Sequence, residues 1–144
     1  MKFEDLFEEW KKDTRIDKTE LADEALKIPK LHHKYYTIFC KERSILKNLE
    51  AEMKKLKLDK FEFYTMGATE ETKEKGWKLP ARGMILKQDL PTYMEADSDI
   101  IELSLRIGVA QEKVDFLDSI IKSFQSRGYL IKSAIDFQKF IMGG

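Results

Sequence analysis

A run of apolar residues with heptad spacing is the feature that most restricts how this chain can fold. Over residues 100–124 the steps alternate between three and four, the spacing of a helix that buries one seam against other helices. The seam consists of Ile100, Leu103, Ile107, Ala110, Val114, Leu117, Ile121 and Phe124. Gly128 then predicts a left-handed helix end, and apolar residues up to Ile141 predict another helix. We therefore expect a C-terminal helical hairpin.

The first part of the chain predicts helices of different lengths. Phe3, Leu6, Phe7 and Trp10 share one helical face, and residues 14–17 break that helix. A second helical stretch begins at Thr19 and is expected to be interrupted or kinked at Pro29. Residues 30–64 contain neither Gly nor Pro and repeat apolar residues every three or four positions, which predicts a long helix.

Further apolar side chains widen the C-terminal seam, and a wide apolar arc is typical of a helix with neighbours on both sides, as in a ring. The fold prediction is thus mainly α: an elongated protomer with a long N-terminal helix and the C-terminal hairpin, assembling into a ring-like homo-oligomer. The alternative is a compact monomeric bundle in which the long helix folds back. The residues expected to join subunits are Ile107, Val114, Leu117, Ile121, Phe124, Tyr129 and Ile131.

The middle of the chain is irregular. Residues 65–96 are polar and interrupted by Gly and Pro, and Met84–Leu86 fits either a short strand or a packed extended segment. Asp97 and Asp99 are placed to cap the following helix. Three regions result: 1–64, helical with a long basic helix; 65–96, a connecting segment; and 97–144, for oligomerisation.

Charge is balanced overall but not locally. The chain has 26 basic and 26 acidic residues, whereas residues 27–60 hold ten bases against four acids, a net charge of +6. A neutral total therefore does not exclude a polyanionic partner, because local fields steer binding. The alternative is that acidic and basic helices pair within the fold or between subunits.

Lysines are followed directly by aromatic residues near the C-terminal end of the long helix. Lys47, Lys54 and Lys57 fall near one face, Lys60 follows one turn later, and Phe61, Phe63 and Tyr64 come next. Lysines neutralise phosphates and exposed rings stack on bases, so this pattern favours single-stranded nucleic acid. The alternative is a solvated helix face beside core rings. Repetition around a ring would multiply weak contacts.

Other functional classes lack support in the sequence. No apolar run spans a membrane, no secretory signal is visible, and Cys40 is the only cysteine, so a cytoplasmic protein is expected. His32 and His33 are adjacent and point about 100° apart on a helix, which disfavours a metal site. No catalytic triad, P-loop or dinucleotide fingerprint appears. We expect no enzymatic activity, no cofactor and no metal.

Fragments spread along the chain resemble the UvsY family of phage recombination mediators. Near the N-terminus they are Glu4-Asp5-Leu6, Lys11-Lys12-Asp13 and Ile16-Asp17, and near the C-terminus Ser126-Arg127-Gly128-Tyr129 with Ile131-Lys132. The resemblance covers nearly the whole chain in order, except for residues 66–95. The family's DNA-contact motif, Leu-Lys-Ala-Arg-Leu, matches residues 57–61, where Lys60 keeps a base and Lys57 stands beside the position of the family's lysine.

This resemblance implies a non-enzymatic, phage-encoded factor in the host cytoplasm. Family members form rings of six or seven subunits through C-terminal helices and bind single-stranded DNA. They help a RecA-type recombinase load onto strands covered by a single-strand-binding protein. The DNA-binding residues are then expected to be Lys47, Lys54, Lys57, Lys60 and Tyr64. The competing hypothesis is a helical scaffold or adaptor that binds only proteins.

Overall fold

The computed structural model describes residues 1–143, and it confirms a mainly α fold. Five helices follow one another: α1 (Phe3–Asp13), α2 (Leu21–Met66), α3 (Glu70–Glu74), α4 (Leu90–Glu95) and α5 (Ser98–Ile141). Residues 1–143 contain no β-strand. No helix within this range is long and apolar enough to cross a membrane.

The chain divides into two compact units that differ from the three consecutive regions expected from the sequence. Unit 1 comprises Met1–Arg43 together with the described residues from Glu112 on, and unit 2 comprises Ser44–Gln111. Both α2 and α5 contribute residues to each unit. Sequence order alone hides this arrangement, because the two long helices place distant stretches of chain in the same core.

The core of unit 1 forms where α1 packs its apolar face on α2 and α5. Leu6, Tyr35 and Leu117 are fully buried there. The Trp10 ring meets the rings of Tyr35 and Phe124 edge-on, at centroid distances of 5.4 and 5.7 Å. Such edge-to-face contacts suit the ring quadrupole and add about 0.5–1.5 kcal/mol each beyond area burial. The amphipathic α1 read from its spacing is confirmed.

Pro29 does not interrupt the second helical stretch, which was one of the two effects expected there, and the other effect, a kink, stays a prediction. The helix α2 continues through it from Leu21 to Met66. Proline inside a helix loses one backbone hydrogen bond and crowds the preceding turn. Its neighbours Ile28 and Leu31 pack against the core of unit 1, and this burial offsets the local cost.

The expected C-terminal hairpin is wrong, because α5 runs without a break from Ser98 to Ile141. Gly128 lies inside this helix and has no left-handed backbone conformation. Arg127 and Ile131, on either side of it, are both buried in the chain. Glycine inside a helix costs only about 0.5–1 kcal/mol relative to alanine, which these tertiary contacts can override.

Unit 2 has a separate apolar core built around the end of α2 and the irregular segment. Phe63, Tyr64, Ile85 and Leu90 are buried together, and Trp77 packs against them. The backbone N–H of Ile85 donates to the carbonyl oxygen of Tyr64 at 2.8 Å. The strand considered for residues 84–86 is not observed, and of the three residues only Ile85 is packed, whereas Met84 and Leu86 are exposed.

Candidate nucleic-acid interface

Three lysines form an exposed basic face on the part of α2 that lies in unit 2. Lys47, Lys54 and Lys57 are all exposed, and none forms an ion pair with any of residues 1–143. Leu46, Leu49 and Phe63 are buried on the same stretch of α2, and of these Phe63 lies opposite the lysines. The steps of seven and three residues keep the three lysines near one line. We call Lys47, Lys54 and Lys57 the lysine face.

Lys60 does not belong to this face, although it lies only one turn beyond Lys57. Its residue is 3% exposed. The ammonium nitrogen lies 2.7 Å from Asp99 Oδ2 and 3.1 Å from Asp97 Oδ2. It also lies 3.7 Å from the centroid of the Trp77 ring, within cation–π range. All three partners belong to unit 2. Because they surround the ammonium group of Lys60, that group is not available to bind a phosphate.

Asp97 connects the start of α5 to the end of α2. Its Oδ1 accepts hydrogen bonds from the backbone N–H groups of Asp99 and Ile100, at 3.0 and 3.1 Å, which confirms the expected helix cap. Its Oδ2 accepts from the Tyr64 hydroxyl at 2.6 Å. Burial opposes ionisation of Asp97, but bonds from Tyr64, Ile100 and Lys60 outweigh it and hold its pKa below the usual value.

The aromatic residues after the lysines are also turned inward. Tyr64 is buried, and burial together with its bond to Asp97 raises the pKa of its hydroxyl. Phe63 is buried, and the half-buried Phe61 packs against the same core. These rings have little free surface on which a base could stack in this conformation.

A groove of about 360 Å³ lies between α2 and α5 in unit 2, next to Trp77. Its charges are mixed, with four carboxylates and three cations, which come from Glu52, Asp59, Asp99 and Glu102 and from Lys55, Lys75 and Arg106. Excess carboxylate repels phosphate. The groove is therefore a poorer phosphate site than the lysine face.

The structure places most of the expected subunit contacts inside the chain itself. Val114, Leu117, Phe124 and Ile131 are buried, and Ile107 and Ile121 are half-buried. Tyr129, by contrast, is 65% exposed. Other large apolar side chains near the end of α5 are exposed as well, and with Tyr129 they form the C-terminal apolar surface: Tyr129, Leu130, Phe137, Phe140, Ile141 and Met142.

Sequence reasoning missed Arg127 as a buried connector in unit 1. Its guanidinium donates to the carbonyl oxygens of Asp13 and Arg15 at 2.5 and 3.1 Å, and lies 3.4 Å from Glu24 Oε2. It thereby provides hydrogen bonds to two backbone carbonyl groups, at the end of α1 and in the loop between α1 and α2. A signal was present, because the seam's steps of three and four continue from Phe124 to Arg127 and Ile131.

Among residues 1–143, no three potential metal ligands lie together.

Comparison with known proteins matches nearly the whole chain to one family. The family model described as "Recombination, repair and ssDNA binding protein UvsY" matches residues 9–144. The recombination protein uvsY of Enterobacteria phage T4 is 26% identical over 144 residues, which cover 99% of each chain.

Solved structures agree with the sequence matches. A crystal structure of the bacteriophage T4 recombination mediator protein UvsY, lattice type II, superposes with a TM-score of 0.84 at 25% identity, covering 99% of this chain and 98% of that one. The lattice type I crystal gives a TM-score of 0.81 at 25% identity, covering 94% and 98%. This chain belongs to the UvsY family of recombination, repair and single-stranded-DNA-binding proteins.

Proposed function

We propose that this protein is a recombination mediator: it binds single-stranded DNA and promotes loading of a RecA-type recombinase onto strands coated by single-strand-binding protein. Membership of the UvsY family supports the DNA-binding part. The T4 relative is a recombination mediator protein, which supports the loading part.

The observation on which this proposal rests is the lysine face. Lys47, Lys54 and Lys57 are exposed and without ion pairs among residues 1–143, so their charges are available to phosphates. Phosphate contacts of this kind release counterions and do not depend on base sequence. Lys60 and Tyr64 then act indirectly, since their bonds to Asp97 secure the end of α2 that presents the lysines.

We also propose that the protein assembles into a homo-hexamer or homo-heptamer through the C-terminal apolar surface. Phe137 and Phe140 are 62% and 79% exposed, and clustered exposed apolar side chains mark association sites. In such an assembly each subunit contributes its own lysine face. The second and later contacts with one strand are then intramolecular, which raises the overall affinity.

The experiment for DNA binding uses fluorescently labelled oligo-dT titrated over a range of salt concentrations. Lys54→Ala with Lys57→Ala should weaken binding, and each lost phosphate contact should reduce the slope of log K against log salt by about 0.7. Lys73→Ala with Lys87→Ala is the matched control, because both lysines are exposed in unit 2 and lie outside the lysine face. Equal slopes for the two double variants would contradict this location of the site.

The loading activity needs a separate assay. The DNA-dependent ATPase of the cognate recombinase is followed on strands saturated with single-strand-binding protein. The wild-type protein should relieve the inhibition by that coat, whereas Lys54→Ala with Lys57→Ala should do so less well. The scaffold hypothesis predicts the opposite pattern, with no oligo-dT binding at low salt and no effect of the lysine variants.

A further inference from the structure

A row of stacked side chains lies on the part of α2 that belongs to unit 1. His32 and Tyr36 stack with nearly parallel rings, at 10° and a centroid distance of 5.7 Å. Tyr36 and Phe39 follow at 5.9 Å, and the guanidinium carbon of Arg43 lies 5.1 Å from the Phe39 ring centre. The steps of four, three and four residues keep all four on one helical face. We call His32, Tyr36, Phe39 and Arg43 the stacking row.

The row is anchored on one side and open on the other. Phe39 packs against the core of unit 1, and the His32 ring meets Phe124 edge-on at 6.3 Å. Tyr36, in contrast, is 46% exposed, and His32 and Arg43 are exposed too. The Tyr36 ring is therefore held in place by its two neighbours while part of its surface remains in water.

The stretch of α2 that carries the row, residues 25–43, is basic, which favours an anionic partner. From Ala25 to Arg43, the only carboxylate on α2 is Glu42. That side chain is 2% exposed as a residue, and its carboxylate lies 3.7 Å from the N-terminal amino group of Met1. No exposed acid of this stretch of α2 therefore competes for Arg43 or repels a phosphate next to the rings.

We propose that the stacking row is a second contact for single-stranded DNA, in which a base packs on the exposed part of the Tyr36 ring, which its neighbours leave free, while Arg43 meets the adjacent phosphate. This inference rests on the proposed DNA-binding function and adds a base-dependent contact to the phosphate contacts of the lysine face. Every base has a π-face, so stacking tolerates any sequence. A rigid ring held between neighbours loses little conformational freedom when a base arrives.

The test compares Tyr36→Leu with Tyr36→Phe on two labelled strands, oligo-dT and an abasic oligodeoxynucleotide of equal length. Tyr36→Leu should raise the Kd for oligo-dT about tenfold, within the range measured for single stacked bases, and leave binding of the abasic strand unchanged. Tyr36→Phe keeps the ring and should bind both strands like the wild type. The salt slope should not change in either variant, because no lysine is removed.

Outcomes separate this inference from the function on which it rests. If the wild type binds oligo-dT and the lysine-face variants weaken it, but Tyr36→Leu has no effect, then the stacking row alone is refuted. If the wild type ignores oligo-dT at low salt, both proposals fail. If Tyr36→Leu changes the mass of the assembly and not the affinity, the row is a subunit contact and the inference is overturned.

A measurement on the unmodified protein covers the case in which Tyr36→Leu does not fold. Oligo-dT with 5-iodouracil in place of some thymines is irradiated in complex with the wild type, and the cross-linked peptides are identified by mass spectrometry. The expected cross-link lies in the peptide that contains Tyr36. Cross-links confined to other peptides would refute the stacking row.

Discussion

The ammonium group of Lys60 lies 3.7 Å from the centre of the Trp77 ring, and this contact joins α2 to the irregular segment that follows α3. Lys60 is one of the few basic residues in the stretch that resembles the family's DNA motif. In this protein its charge is used within unit 2, where Asp97 and Asp99 complete its environment. Lys60 therefore stabilises unit 2, the unit that carries the lysine face.

Replacement of Lys60 tests this supporting role. Lys60→Met should lower the free energy of unfolding by about 3 kcal/mol, because it leaves the buried carboxylate of Asp97 without its cation. Urea unfolding followed by far-UV circular dichroism measures the loss. Lys57→Met, at an exposed position one turn away, should change stability by no more than about 0.5 kcal/mol. Equal midpoints for the two variants would refute the role.

The capping carboxylate predicts a specific dependence of stability on pH. The folded-state pKa of Asp97 lies below the unfolded value of about 3.9, so the unfolded chain binds more protons in that range. The stabilisation by ionised Asp97 is thus complete above the unfolded pKa and disappears as pH falls through the folded pKa. Asp97→Asn removes this contribution. The difference in urea midpoint between wild type and Asp97→Asn should shrink from pH 6 towards pH 2, and a constant difference would contradict the assignment.

Arg127 should not tolerate even a conservative replacement. Its fork reaches the carbonyl oxygens of Asp13 and Arg15 and the carboxylate of Glu24, which a single ammonium group cannot do. Arg127→Lys should therefore reduce the free energy of unfolding by about 2 kcal/mol. Lys132→Arg, at an exposed position on the same helix, is the control and should be neutral. The claim is lost if both variants unfold at the same urea concentration.

The C-terminal apolar surface predicts which substitutions change assembly without changing the fold. Phe137→Ser with Phe140→Ser should lower the mass measured by light scattering and leave the helix content unchanged, because both rings are exposed in the protomer. Leu117→Ala should do the reverse, losing about 2–5 kcal/mol of stability from a fully buried site. A wild type that runs as a monomer at all concentrations would rule out this surface as an interface.

Local sequence was informative where the physical cause is local. The apolar spacing of α1, the break after Asp13 and the cap at Asp97 all depend on residues within a few positions of one another. Each was predicted and is observed. The same local information failed at Gly128, and at Pro29 it allowed an interruption that is not observed. In both places the preference of one residue is smaller than the packing energy of its neighbours, which are the half-buried Ile28 and Leu31 and the buried Ile131.

The seam of α5 shows what a periodic pattern leaves open. The spacing correctly indicates that Leu117 and Phe124 are buried, and both are. It does not specify the partner, and in unit 1 the partners are Leu6 and Tyr35 of the same chain. Heptad spacing describes one helix face, and a face of the same chain satisfies it as well as a face of another subunit does.

The residue pattern was enough to predict that this chain is helical, that it presents lysines on one face of a long helix, and that it resembles one family over nearly its full length. The folded chain was needed to show that Lys57 is exposed to water while Lys60 and Tyr64 contact Asp97. The reason is distance along the chain. Burial of a lysine requires a partner for its charge, and here the partner is the carboxylate of Asp97, which lies 37 positions later in the sequence. The residues next to Lys60 in the sequence therefore do not indicate this ion pair.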